Sequence, residues 1–132
     1  MILLDTSVLL SYDDVVIPPD DFVSSAVVLA ELHFGVAAAK NLTVRNARQA
    51  RLIRIQRTGI QWLPFTESTS SFHAELMSAT HPQAPGEARS RDLMIAATAY
   101  ELGAQLATLN VDDFAYVGSL VSIILPTAKH EA

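Results

Sequence analysis

The sequence predicts a three-layer α/β/α domain built on a mostly parallel, twisted sheet of four or five short strands. Short apolar segments alternate along the chain with segments of helical periodicity. The apolar segments are continuous rather than alternating with polar residues, which is typical of strands buried on both faces. Alternation of strands with helices predicts parallel strands joined by crossover helices.

Local signals mark the boundaries of each element. Polar caps precede the helices, whereas Gly, Pro and acidic stretches separate the elements. We expect Thr43 to cap one helix and Ser90 another, which Gly103 ends. Predicted strands cover residues 2–4, 22–23, 60–65, 105–110 and 119–126. Predicted helices cover residues 6–12, 25–41, 43–58, 66–81 and 90–103, with a helical turn at 111–117 and a loop at 82–90.

Length and composition predict a single domain over residues 1–126 and a flexible C-terminal tail over residues 127–132. Half of the 132 residues are hydrophobic and 17% are charged, as in compact domains. The absence of cysteine excludes disulfides, thiolate zinc sites and cysteine nucleophiles, and it is typical of a reducing compartment. We expect a cytoplasmic protein without a signal peptide, a membrane span or a membrane partner, because no apolar stretch is long enough.

Basic residues are concentrated in one part of the chain. The net charge is −5, but six of the nine Lys and Arg residues lie between residues 40 and 57, a segment without acids. The net charge argues against nucleic-acid binding, whereas the basic segment favours contact with phosphates or with an acidic partner. Candidates for contact with a nucleic acid or with a partner are Arg45 and Arg48 of this segment, and Arg89 and Arg91, which lie close to Asp92 in the sequence.

Acidic residues follow two of the predicted strands. Asp5 comes directly after the first strand, and Asp112 and Asp113 come shortly after the strand 105–110. The carboxyl ends of parallel strands share one edge of a sheet, so these acids and the start of the Asp92 helix are expected in one cleft. Carboxylates that lie so close together repel each other unless a cation lies between them. Oxygen ligands alone select a hard ion, Mg²⁺ or Mn²⁺, rather than zinc.

Each acid also has an ordinary structural explanation. Glu31 fits a solvent-facing position on an amphipathic helix, and Asp92 fits a carboxylate in the first turn of its helix. Asp112 and Asp113 fit a turn cap. Taken together these explanations are weaker, because they do not account for the convergence of the acids on one edge. No dinucleotide-binding GxGxxG motif, phosphate-binding GxxxxGK[ST] motif or GxSxG motif is present.

Four stretches resemble, in order and spacing, the motifs of PIN-domain ribonucleases, in particular VapC-type toxins of bacterial toxin–antitoxin pairs. The likeness extends from residue 2 to about residue 125. The stretches are MILLDTSVLL, VVLAELHFGV, ARSRDLMIAATA and TLNVDDF. The resemblance implies a PIN-like α/β/α fold and a Mg²⁺-dependent endoribonuclease whose cleavage leaves a 5′-phosphate and a 3′-hydroxyl, with Mn²⁺ as the other metal to consider.

The resemblance also implies roles for individual residues. Asp5, Glu31 and Asp92 match three of the four catalytic acids of the family. The fourth is Asp113, the acid directly before Phe, with Asp112 as the alternate. The expected metal ligands are Asp5, Asp92 and Asp113, and Glu31 is expected to orient or deprotonate the attacking water. The polar residues expected to support the acids are Thr6, Ser7 and Asn110.

The partners implied by the resemblance are an RNA, with tRNA or another structured RNA as the expected substrate, and a VapB-type antitoxin. A homodimer, and a heterotetramer or larger assembly with the antitoxin, are further implications. Two alternatives are a stand-alone PIN nuclease of RNA processing and a non-catalytic binding module with the same fold. The filled acid positions argue against the module.

Overall fold

A sheet of five parallel strands forms the centre of the computed structural model, which describes residues 1–17, 19–80 and 87–131. In chain order the strands are β1 (Ile2–Leu4), β2 (Phe22–Ser25), β3 (Trp62–Leu63), β4 (Gln105–Ala107) and β5 (Ile123–Ile124). They lie side by side in the order β3-β2-β1-β4-β5, and every neighbouring pair is parallel. The mostly parallel sheet that the sequence predicts is therefore confirmed.

Helices cover both faces of this sheet. All three residues of β1 are buried, and successive strand side chains point to opposite faces, so neither face is open to solvent. The helices are α1 (Thr6–Leu10), α2 (Ala26–Ala37), α3 (Leu42–Gln56), α4 (Glu67–Thr80) and α5 (Glu87–Leu102), with 3-10 helices at Val111–Val117 and Lys129–Glu131. Among these helices, α3 packs against α2 and α5 packs against α4.

Several element boundaries differ from those predicted. Asn41 caps α3, since its side-chain oxygen accepts a hydrogen bond from the Val44 amide at 2.9 Å. The predicted cap at Thr43 and the predicted end of α2 at residue 41 are therefore wrong. Ser90 is not an N-cap, because α5 begins three residues earlier. Gly103 follows α5 with a φ of 66°, as expected for a glycine that ends a helix. Of the loop predicted at 82–90, residues 82–86 lie outside the described residues, whereas residues 87–90 belong to the helix α5 and were wrongly predicted as loop.

The strand order creates a cleft at one edge of the sheet. From β1 the chain crosses to β2 on one side, whereas β4 joins β1 on the other side. Loops that leave the carboxyl ends of two such strands diverge, and the crevice between them is the usual ligand site of open parallel sheets. Phe114 of the 3-10 helix that follows β4 is 2% exposed, so this helix is anchored in the core beside the crevice.

Backbone contacts tie part of the predicted tail to the domain. Residues Val15 and Ala128 form an antiparallel bridge. The Val16 amide donates to the Thr127 carbonyl at 2.8 Å, and the Lys129 amide donates to the Asp14 carbonyl at 2.9 Å. The division into a domain and a flexible tail stays a prediction, but residues 127–129 are paired in this structure. Across the described ranges, no helix has the length and apolar character to span a membrane.

Candidate active site

Asp5 lies at the carboxyl end of the central strand, where the cleft begins. Its amide donates to the Ala107 carbonyl of β4 at 2.9 Å, so the parallel pairing of β1 and β4 sets the position of its backbone. The Asp5 residue is only 4% exposed. A buried carboxylate loses hydration and needs hydrogen-bond donors or a cation nearby. The surroundings of this side chain therefore decide how its charge is tolerated.

Two hydroxyl groups donate to the same oxygen of Asp5. The Ser7 hydroxyl lies 3.0 Å and the Thr108 hydroxyl 2.7 Å from Asp5 Oδ2. Within the described residues, no hydrogen bond reaches Oδ1 of this carboxylate. Hydrogen bonds to a charged acceptor are strong and orienting. The arrangement thus holds the Asp5 carboxylate in one orientation and leaves its second oxygen available to a ligand.

The two hydroxyls are themselves oriented by backbone amides. The Leu109 amide donates to Ser7 Oγ at 2.9 Å, and the Asn110 amide donates to Thr108 Oγ1 at 3.0 Å. The hydroxyls also lie 3.2 Å from each other, but each has a single hydrogen. Because the amides fill acceptor positions on both oxygens, both hydroxyl hydrogens are free to point to Asp5. Ser7 and Thr108 are therefore positioned as a pair by the segment that follows β4.

Thr108 is a site residue that the sequence reasoning did not find. Its one signal is a hydroxyl side chain directly after a buried strand, which is too common to indicate a site. The structure also separates the two hydroxyl residues after Asp5. Ser7 contacts Asp5, whereas Thr6 donates to Glu31 Oε1 at 2.9 Å. Asn110 takes part through its backbone amide, and its side chain is exposed.

Glu31 lies on α2, and its charge acts on the Asp92 carboxyl group. Its side chain is 30% exposed, so it is not a freely solvated residue on an outer helical face. Thr6 holds one carboxylate oxygen, and Arg91 Nε lies 4.0 Å from the other. One oxygen is thus fixed by a hydroxyl group, while the other remains near the open cleft with only a distant cation.

Asp92 lies among the other acids. Because α5 begins at Glu87, this residue is in the second turn, beyond the reach of a strong helix-dipole effect. Burial raises the pKa of Asp92 most, and the negative charges of Asp5, Asp113 and Glu31 raise it too, in that order of size, so that it rises from 3.8 to about 6. The Arg89 charge acts in the opposite direction. Charges on four different elements therefore meet at this carboxyl group.

The fourth acid is distinguished by the same electrostatics. Asp113, and not Asp112, is among the charges that act on the pKa of Asp92. Both residues are exposed on the 3-10 helix. The Asp113 amide donates to the Asn110 carbonyl at 3.0 Å, which places Asp113 at the first turn of that helix. Proximity to the other acids supports Asp113 over its neighbour.

The acids suit a hard cation by their chemistry, although they do not form a closed binding shell. All four are carboxylates, and oxygen donors are the ligands that Mg²⁺ and Mn²⁺ prefer. Among the residues in the described ranges, however, no three His, Cys, Asp or Glu side chains are arranged to hold a metal ion as they stand. Mg²⁺ usually keeps several water ligands and binds to only one or two carboxylates of a protein, so a closed shell of protein ligands is not required here.

The candidate cationic residues have different environments. Arg89 donates to the Asp113 carbonyl, and Arg91 lies beside Glu31. Arg48 donates to the Gly35 carbonyl at 2.7 Å and so joins α3 to α2, whereas Arg45 is exposed on α3. Arg89 and Arg91 are thus next to the acids, and the two arginines of the basic segment are further along the surface.

A groove of about 820 Å³ opens beside Glu31. Apolar side chains of α1 and α2 form part of its wall, including Phe34, which is 71% exposed, and Leu10, which is 47% exposed. Arg48, Arg51 and Arg91 also line it. An exposed apolar surface bordered by charged groups is typical of a protein-binding site.

Comparison with known proteins identifies the family. Residues 2–120 match the PIN domain, and the chain belongs to the PIN-domain family, whose members are nucleases that generally use divalent metal ions. No curated protein sequence matches the chain.

Solved structures similar to this one come from toxin–antitoxin systems. The chain is 28% identical to VapBC-5 from Mycobacterium tuberculosis, described as a member of the VapBC family of toxin–antitoxin systems, over 93% of this chain and 94% of that one, with a TM-score of 0.72. It is 27% identical to FitAcB from Neisseria gonorrhoeae over 94% and 96%, with a TM-score of 0.73. VapBC2 from Rickettsia felis, at 22% identity, 96% and 99% coverage and a TM-score of 0.74, shares the fold. These similarities support a nuclease of the VapC toxin type.

Proposed function

We propose that this protein is the toxin of a VapBC-type pair, an endoribonuclease that hydrolyses RNA phosphodiester bonds with Mg²⁺ or Mn²⁺ and is inhibited by a VapB-type antitoxin. The observation that carries the proposal is that the charges of Asp5, Glu31 and Asp113 act on the carboxyl group of Asp92 at one end of the sheet in a PIN fold. Transfer RNA or another structured RNA is the proposed substrate.

The residues of the cleft have separate tasks in this reaction. Asp5, Asp92 and Asp113 would hold the divalent ion, and Ser7 and Thr108 keep the Asp5 carboxylate turned towards it. When bound, such an ion lowers the pKa of the attacking water and stabilises charge on the phosphate. The carboxylates also exclude RNA phosphate from the cleft until their charge is compensated.

Glu31 orients the attacking water and accepts its proton. Thr6 donates to one oxygen of this carboxylate, so the other oxygen is the one that faces a water molecule in the cleft. General-base assistance of this kind contributes about 10²–10⁴-fold to a rate. Arg91 Nε lies 4.0 Å from this second oxygen.

The groove beside Glu31 is the proposed binding site of the antitoxin. Its apolar wall includes exposed Phe34 and Leu10, and it ends at a catalytic acid. A partner segment in this groove would cover Glu31 and block the cleft. The similar structures come from toxin–antitoxin systems, which supports this type of partner. We further propose a homodimer that forms a heterotetramer or a larger assembly with the antitoxin.

The test is RNA cleavage by the purified chain. We expect cleavage of tRNA or other structured RNA in Mg²⁺ or Mn²⁺ and none in excess EDTA. The Asp5→Asn variant should show no cleavage above background, whereas Asp14→Asn, which changes an exposed acid outside the cluster, should match the wild type. Cleavage in EDTA, or an active Asp5→Asn variant, would refute the proposed chemistry. If the chain cleaves RNA and no protein encoded beside it inhibits this cleavage, the result would support the stand-alone nuclease. If the chain binds no divalent metal ion, the result would support the non-catalytic module.

Asp113 and Asp112 are expected to differ sharply in their effect on cleavage. Asp113→Asn should lower the rate by about 100-fold or more, since a metal ligand supports several kcal/mol of charge stabilisation in the transition state. Asp112→Asn should remain close to wild type, because its charge does not act on the pKa of Asp92. Single-turnover cleavage rates of the two variants measure the difference. The opposite ranking would identify Asp112 as the fourth acid.

Thr108→Val is expected to lower metal affinity and cleavage by about 10–100-fold, the usual range for a residue that orients a metal ligand. The variant keeps the side-chain volume but removes the hydrogen bond to Asp5 Oδ2 and the acceptor of the Asn110 amide. Thr98→Val is the matched control. It changes a buried threonine of α5 whose hydroxyl donates to the Met94 carbonyl at 3.4 Å, within its own helix. Mn²⁺ titration by calorimetry gives the affinities, and equal affinities in both variants would remove Thr108 from the site.

A further inference from the structure

Arg89 and Tyr116 form a pair at the rim of the cleft that the chemistry proposed above does not use. The guanidinium carbon of Arg89 lies 5.6 Å from the centroid of the Tyr116 ring, within the range of a cation–π interaction. Arg89 also donates to the main-chain oxygen of Asp113. Two contacts therefore hold the guanidinium between α5 and the 3-10 helix, beside a catalytic acid.

The guanidinium of Arg89 has donors to spare. It carries five N–H groups, and within the described residues its hydrogen bond goes to the Asp113 oxygen alone. Its charge also reaches the Asp92 carboxyl group. The Arg89 guanidinium is therefore close enough to the acids to contact a phosphate of the RNA strand that is cleaved there. Its remaining N–H donors match the oxygens of a phosphate group.

The aromatic ring of Tyr116 is exposed to solvent, unlike that of a core residue. It is 49% exposed, whereas Phe114, two residues earlier on the same 3-10 helix, is 2% exposed. The helix thus uses one aromatic side chain as its anchor and turns the other outwards. Arg89 covers only part of the ring. An exposed aromatic ring beside a cation is the combination with which proteins bind single-stranded nucleic acid.

We propose that Arg89 and Tyr116 bind one unpaired nucleotide of the RNA next to the cleaved phosphodiester. Arg89 contacts the phosphate of this nucleotide, and the open part of the Tyr116 ring stacks on its base. The inference rests on the proposed ribonuclease function and extends it to the substrate. A base that stacks on a side chain has left its own helix, so the nucleotide bound here belongs to a loop or another single-stranded part of the RNA.

The experiment measures binding and cleavage separately. Binding of a short fluorescein-labelled single-stranded RNA is followed by anisotropy in Ca²⁺ buffer, and cleavage of the same RNA is followed in Mg²⁺. Tyr116→Leu should weaken binding by about 5-fold to 150-fold, the range given by base–aromatic stacking, with KM raised and kcat little changed. Tyr116→Phe, which keeps the ring, should bind like the wild type. An RNA with an abasic site at the contacted nucleotide should bind wild type and Tyr116→Leu equally.

Arg89 is tested by the salt dependence of binding. Arg89→Gln should lower the slope of log Kd against log salt concentration by about 0.7, as expected for the loss of one contact with a single-stranded phosphate. Lys129→Gln, which removes an exposed positive charge outside the basic segment, is the control and should leave the slope unchanged. A change in stability alone would not alter this slope.

The outcomes separate this inference from the proposed function. Wild-type cleavage of RNA together with unchanged binding by Tyr116→Leu overturns the inference and leaves the ribonuclease intact. Variants that weaken binding of a partner protein but not of RNA also overturn it. Absence of both RNA binding and cleavage in the wild type overturns the two proposals together. Weaker binding by Tyr116→Leu, rescued by Tyr116→Phe, establishes the nucleotide site.

Discussion

Asp92→Asn is expected to abolish RNA cleavage, by about 1,000-fold or more, and at the same time to stabilise the metal-free protein. The two effects have one cause. Burial raises the pKa of the Asp92 carboxylate, and so do the charges of Asp5, Asp113 and Glu31, which surround it. Asparagine removes a proposed metal ligand, but it also removes a negative charge from a place where three others repel it.

The pH dependence of stability follows from the direction of that shift. The pKa of Asp92 rises from 3.8 to about 6 on folding, so the folded state favours the protonated form. Metal-free wild type therefore loses stability as the pH rises through this window, and the loss is complete above about pH 6. Asp92→Asn lacks this loss. Its advantage should be absent near pH 4 and reach roughly 1–2 kcal/mol at pH 7, after allowance for partial exposure of the group.

Urea unfolding in EDTA between about pH 4 and pH 7 measures this difference. Asp112→Asn is the control, because its exposed charge does not act on the pKa of Asp92. Added Mg²⁺ or Mn²⁺ should stabilise the wild type and have much less effect on Asp92→Asn, since only a bound ion shifts the unfolding equilibrium. A variant that is less stable than wild type at pH 7 without metal would contradict the mutual repulsion of the four acids.

Phe114→Ala is expected to lower the free energy of unfolding by about 3–5 kcal/mol, the cost of removing a buried phenylalanine side chain. Phe114 is 2% exposed and holds the 3-10 helix that carries Asp113 in the core. Cleavage should therefore fall even at temperatures where the variant remains folded, because the fourth acid loses its fixed position. Urea denaturation followed by circular dichroism, with cleavage measured below the transition, tests both effects.

Phe34→Ala provides a matched control for the stability effect. Phe34 is 71% exposed on α2, so the change should alter the free energy of unfolding by less than about 0.5 kcal/mol. Phe114→Leu should recover most of the lost stability, because it refills the site with an apolar side chain. A loss below about 1 kcal/mol for Phe114→Ala would mean that the helix does not depend on this anchor.

The acids of the site were accessible to sequence reasoning because each has a local mark. Asp5 interrupts an apolar segment, and Asp92 precedes a helix rich in small residues. The parallel sheet was also predictable, since short continuous apolar segments between helices are typical of buried parallel strands. The structure places Asp5, Glu31, Asp92 and Asp113 around one cleft; the catalytic roles of these residues stay predictions.

The partners of those acids were not accessible in the same way. Thr6 and Ser7 are adjacent in the chain, yet Thr6 contacts Glu31 and Ser7 contacts Asp5, because neighbouring residues of a helix point in different directions. Nothing local distinguishes Thr108 from other buried threonines. Its hydrogen bond to Asp5 joins residues 103 positions apart, and it exists because β4 lies beside β1.

The sequence by itself therefore determines the strands, the helices and the chemical type of the site, since periodicity and isolated charges are properties of short segments. Only the tertiary structure decides which hydroxyl supports which acid, which of two adjacent aspartates joins the cluster, and that Arg89 meets Tyr116 at its rim. These contacts depend on strand order and on the packing of distant elements. Both arise when the whole chain folds around one sheet, and a local pattern does not specify them.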